Sequence, residues 1–105
     1  MLKAVFYKEN DRFTGFSISG HAGYGTAGND IVCAAVTSAV ELTCNTITEF
    51  FGAAAEVSVF ENEVRLILKE SAESSQQLLA SLFSHIEYMA QEHKKIKLEV
   101  KLTGG

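Results

Sequence analysis

Two residue types able to do covalent chemistry stand twelve positions apart, His21 and Cys33, with a glycine-rich stretch between them. Asp30 sits where a helix N-cap belongs, and the residues after it carry helix-compatible spacing. Cys33 is then expected at the third helical position, where unpaired backbone N–H groups and the positive end of the helix dipole favour a thiolate. The same amides would receive the oxyanion formed when a thiolate attacks a carbonyl. A base is needed beside the sulfur. The four glycines of GHAGYGTAGND, residues 20–30, let the chain fold back and lay the His21 imidazole there.

A free cysteine in an Ala/Val-rich helix is ordinarily a small hydrophobe, so position has to decide. Cys44 serves as an internal control. Eleven residues make about three turns, which puts it on the same helix face as Cys33 but roughly 16 Å further along, among Leu42, Thr43 and Ile47. It reads as unreactive core, too far away for a disulfide with Cys33.

Two rival motifs fail on context. Gly23-Tyr24-Gly25-Thr26-Ala27-Gly28 matches the dinucleotide fingerprint, but that site needs a parallel β-α-β unit and an acidic residue on the next strand. Here a hairpin precedes the motif, and Glu49 is still helical. A zinc site has no support, since the three histidines and two cysteines show no C-x-x-C or H-x-x-x-H pair. His85 and His93 read as solvated residues of a later helix.

The elements that must position the pair are legible from periodicity. Residues 2–8 and 12–20 are β-branched and aromatic around a polar Glu9-Asn10-Asp11 turn, a hairpin. A long apolar helix is expected over 31–51 with Gly52 as its stop. A second hairpin follows, 55–60 and 64–69, turning at Glu61-Asn62. Ser74-x-x-Gln77 has the form of a capping box opening an amphipathic helix whose stripe is Leu78/Leu79, Leu82/Phe83, Ile86 and Met89/Ala90. Ile96, Leu98, Val100 and Leu102 then alternate with charged residues, the pattern of a strand with one buried face. The order β-β-α-β-β-α-β predicts an α+β fold, a mostly antiparallel sheet packed against two helices. The first helix is apolar nearly all round, which predicts cover from a second copy in a symmetric homodimer.

Composition removes several function classes. The 105 residues are 47% apolar and 21% charged, the profile of one globular domain spanning 1–105. Thirteen acidic against nine basic residues leave a net charge of −4, which disfavours direct nucleic-acid binding. The longest uninterrupted apolar run is Ile31 to Val36, so no membrane span is expected, and the N-terminus lacks the pattern of a secretion signal. Two cysteines with no disulfide framework point to the cytoplasm.

The stretch Gly20-His21-Ala22, followed by the glycine loop and Gly28-Asn29-Asp30-Ile31-Val32-Cys33-Ala34-Ala35-Val36, resembles the signature of the bacterial ribosomal-processing cysteine protease family, Prp. Chain length and element order fit that family over essentially the whole chain. The resemblance implies a homodimeric cysteine endopeptidase that removes a short N-terminal extension from a large-subunit ribosomal protein, cutting after aromatic residues, with no cofactor. Cys33 would be the nucleophile and His21 the general acid/base. Asp30 matches the family's aspartate, in a role that orients His21, caps the helix, or both. Gly20 and Thr37 would meet substrate. The family usually carries serine where this chain has Thr37, and the retained hydroxyl, one turn from Cys33, keeps a contact to substrate backbone available. Residues 22–29 would form a lid. The alternative is a non-catalytic peptide-binding or ribosome-assembly module that docks through its apolar helix.

Overall fold

The computed structural model describes residues 2–20 and 27–103, with side chains described for 2–20 and 31–103. The first hairpin pairs β1 (Leu2–Glu9) with β2 (Arg12–Ser19). Its turn uses two non-glycine residues in the left-handed region, Asn10 at φ 52° and Asp11 at φ 64°. Asn and Asp tolerate that conformation, and two such residues give the turn whose twist matches the flanking strands.

The first helix, α1, runs Ala27–Asn45 and passes into a π-helical turn, Thr46–Phe50. Then come β3 (Ala55–Phe60), β4 (Glu63–Leu68), α2 (Glu73–Glu92) and β5 (Ile96–Leu102). The β-β-α-β-β-α-β order read from periodicity is therefore the observed one. The sheet order is β3-β4-β2-β1-β5, antiparallel everywhere except between β1 and β5.

One cross-strand row fixes the core. Phe6 lies opposite Phe16, and Phe16 opposite Leu66, and all three are fully buried. Phe6 also meets the rings of Phe13 and Phe83 at centroid distances of 5.8 and 5.2 Å, both edge-on. Above them α1 lays down Val36 and Val40, the π-helical turn adds Ile47, and α2 lays down Leu79, Leu82 and Ile86. Burying each such side chain is worth about 1.5–3 kcal/mol, so the row and its two helices anchor the fold.

Three boundaries depart from the sequence reading. Asp30 is the fourth residue of α1 and not its cap, because the helix begins at Ala27. The α2 cap is Ala72, with no side-chain cap hydrogen bond, so Ser74-x-x-Gln77 lies inside the helix. The buried Gln76 instead clamps the first hairpin, its Nε2 donating to the Phe13 carbonyl and its Oε1 accepting from the Phe13 N–H, each at 2.7 Å. Burial along β5 also fades, from a buried Ile96 to an exposed Leu102, because this edge strand outruns the helices.

The end of α1 has a local cause. Thr43, Thr46 and Thr48 each donate a hydroxyl to the carbonyl four residues back, at 2.7–3.0 Å. Such back-bonding competes with the backbone ladder and bends helices. Phe51 N–H then bonds the Thr46 carbonyl in π register, and Gly52 stops the helix at φ 61°, a conformation that favours glycine.

The outer face of α1 and of the π-helical turn after it is bare: Ile31 is 71% exposed, Leu42 69% and Phe50 83%. By length and composition Ile31–Phe50 would suffice to cross a membrane, which the count of uninterrupted apolar residues missed. Its inner side chains nonetheless pack on the sheet. The helix layer also stops short of β3. Val57 and Val59 continue the helix-facing rows from Leu66 and Val64, yet Val59 is 74% exposed.

Candidate functional site

Cys33 lies in the second turn of α1, half-buried against the core at its inner edge. One turn on, the exposed Thr37 presents Oγ1 at 4.0 Å from Cys33 Sγ, as expected from a four-residue separation. Neither Cys33 nor Cys44 is in a disulfide. Because α1 starts at Ala27, the four N–H groups without intrahelical partners precede Cys33 by more than half a turn, and Cys33 sits seventh in the helix. Dipole effects fade within the first turn. The expectation that the helix terminus activates this sulfur and supplies its oxyanion donors is therefore corrected.

Gly20 follows β2 at φ 80°, and its N–H bonds the Asn62 carbonyl at 2.9 Å. That bond ties the entry to the glycine stretch onto the β3–β4 turn. A residue with a Cβ would be strained in this conformation, which explains glycine immediately before position 21. His21 itself lies outside the described residues. So do residues 22–26 of the expected lid, while 27–29 are helical. For Asp30 only the backbone is described.

A cavity of about 230 Å³ opens between α1 and the β3–β4 hairpin. Gly20 and Thr37 both line it, together with Val40, Glu41, Glu61 and Val64. The structure thus brings together two of the residues expected to meet substrate, at the face of α1 that carries Cys33. The sequence reading did not single out Glu41 or Glu61. Glu41 was visible only as a rare charge in an apolar helix, and Glu61 only as a turn residue.

Charges around the cavity differ in their neighbours. Glu63 Oε2 accepts from Ser17 Oγ at 2.7 Å and from Arg65 Nη2 at 2.7 Å, and these bonds hold its carboxyl below the ordinary 4.5. Among the described residues, Glu41 and Glu61 join no ion pair.

Cys44 is 7% exposed, and burial pushes its thiol from 9.0 up to about 11, with the neighbouring Glu41 charge adding to the rise. His85 and His93 are exposed, the latter at the C-cap of α2. No group of three or more metal-ligating side chains occurs among the described residues.

A family model described as cysteine protease Prp matches residues 1–97. No curated protein sequence matches the chain. Among solved structures, SMU.848 from Streptococcus mutans superposes with a TM-score of 0.87 at 21% identity, covering 98% of this chain and 99% of that one. The essential ribosomal processing protease Prp from S. aureus, with a covalently linked product peptide, gives 0.85 at 20% identity, covering 96% and 100%. The same protease with a substrate peptide gives 0.77 at 17%, covering 98% and 100%. At such identities these likenesses establish the fold.

Proposed function

Because the chain belongs to the cysteine protease Prp family and is a cysteine protease, we propose that Cys33 is its nucleophile and His21 its general acid/base. His21 takes the thiol proton, and the thiolate attacks the scissile carbonyl. The tetrahedral intermediate collapses as His21 returns the proton to the departing amine. Water, deprotonated by His21, then hydrolyses the acyl-enzyme and regenerates the thiol. With the helix start more than half a turn ahead of Cys33, activation of the sulfur rests on the imidazole rather than on the dipole. Asp30 orients His21, and Gly20 and Thr37 contact the peptide.

The substrate is a short N-terminal extension of a large-subunit ribosomal protein, cut after an aromatic residue in the cytoplasm. The ribosomal processing named for the S. aureus structures supports this reading. All 105 residues act as one protease domain without a cofactor. The bare outer face of α1 and its π-helical turn, with Leu42 and Phe50 exposed, supports a homodimer. The non-catalytic binding module is set aside by family membership.

The observation that carries the assignment is Cys33 half-buried, its Sγ 4.0 Å from the hydroxyl of Thr37, which lines a cavity together with Gly20. The test is cleavage of a peptide spanning the extension by wild type, Cys33→Ala and His21→Ala. Cleavage by wild type alone is expected. Undiminished cleavage by Cys33→Ala refutes the assignment.

A further inference from the structure

The cavity beside Thr37 does not end there. A second hollow, about 260 Å³, lies further along α1 between Cys44, Asn45 and Val57. The two share Glu41, Val59 and Val64 as walls, so they form one groove between α1 and the second hairpin. Each hollow is smaller than an ordinary small-molecule pocket, a size that suits successive side chains of an extended chain. The floor is apolar, and no helix covers Val59. β3 is the outer strand, paired only with β4, so its other edge offers unpaired backbone groups to an extended segment.

We propose that the substrate chain lies along this groove, and that Glu41 and Glu61 select a lysine or arginine three or four residues from the cleaved bond. The inference rests on Cys33 being the nucleophile. Thr37, one turn from Cys33, lines the near end, which makes the groove a prolongation of the site. Glu41 follows Cys33 by eight helical residues, about 12 Å. An extended peptide covers that distance in three or four residues at about 3.3 Å each. Glu63 is already engaged by Ser17 and Arg65. Glu41 and Glu61, without ion pairs among the described residues, are the carboxylates left for a cation.

The test uses the full chain and peptides identical except for Lys, Ala or Glu at one position, two to five residues from the cleaved bond on either side. At low salt, kcat/KM is expected to favour Lys over Glu by about five- to tenfold at one position three or four residues away. The Glu41→Lys/Glu61→Lys double variant should reverse that order, and added salt should shrink it. Equal rates for Lys and Glu peptides at every position, or a preference that survives the double variant, would overturn the inference. Each assay is paired with Cys33→Ala. Cleavage surviving that change refutes the nucleophile assignment, whereas Cys33-dependent cleavage without a charge preference refutes the groove alone. If the double variant shifts the oligomeric state in sedimentation while peptide preference stays fixed, the groove is a contact between copies and the inference fails.

Discussion

Cys33 and Cys44 belong to one helix, about three turns apart and turned toward the same side, yet their surroundings oppose each other. Cys33 is half-buried, next to the Thr37 hydroxyl and beside a cavity that reaches solvent. Cys44, though it edges the second hollow, is only 7% exposed, and burial holds its thiol protonated up to about 11. Residue type and helix face are held constant along this pair. Depth under the neighbouring hairpin and the nearest polar partner are what vary, and these control whether a thiol can ionise.

The hardest way to break that contrast is to remove each sulfur in turn. Cys33→Ala should lower kcat/KM at least about a thousandfold, while Cys44→Ala should leave it within a few-fold. Comparable losses in peptide-cleavage assays would mean the two sulfurs are not distinct in role. Alkylation sharpens it further. With a thiol at about 11, only about one Cys44 in ten thousand is ionised at pH 7. Iodoacetamide followed by peptide mapping should therefore mark Cys33 about a hundredfold faster, and equal labelling would contradict the burial argument.

The same burial gives Cys44 a signature in stability. The folded thiol keeps its proton up to about 11, whereas the unfolded thiol loses it near 9.0. Between these values the folded state binds more protons, so stability should fall as pH rises, by about 3 kcal/mol at most. Urea melts of wild type and Cys44→Ala from pH 8 to 11 should differ by that slope.

Smaller effects test the neighbour rather than the sulfur. Thr37→Val should lower kcat/KM about tenfold or less with little change in Tm, and Thr37→Ser should restore most of it. Full activity in Thr37→Val would detach the hydroxyl from the site. Least of all is Glu63→Gln, expected to alter stability and not specificity. Its folded carboxyl lies below the ordinary 4.5, so its contribution is present above that value and lost as pH falls through the folded one. Acid melts that superpose on wild type would show the Ser17 and Arg65 bonds to be idle.

Alternation and helical stripes revealed all seven elements, because each leaves a period in the sequence, even β3, whose apolar row stays largely uncovered. Boundaries set by single residues were less legible. Ala27, Gly28 and Asn29 read as loop, because glycine-rich composition disfavours helix, yet they form the opening turn of α1. Ser74 and Gln77 read as a capping box, whereas Gln76, which the sequence reading passed over, uses its amide to bind the Phe13 backbone across 63 positions. The π-helical turn left three threonines as its trace, but threonine in a helix usually has no such result. For the site, Cys33 was singled out by a helix start that the structure moves to Ala27, and Thr37 only by the family resemblance, with helix spacing placing the two one turn apart. The groove was not legible, because it depends on the helix layer ending before β3, a tertiary mismatch that no local pattern encodes.

The parallel contact between β1 and β5 also bears on how the protein is made. Leu2 pairs with Ile96, so the strand synthesised first waits for the last of the five before its outer edge is satisfied. Closing so long a loop is slow compared with forming hairpins. Until then Leu2, Ala4 and Phe6 lack a side of their shelter, and a nascent chain stalled before residue 96 should be a target for chaperones. The outer edge of β1 is therefore completed only once Ile96–Leu102 is in place.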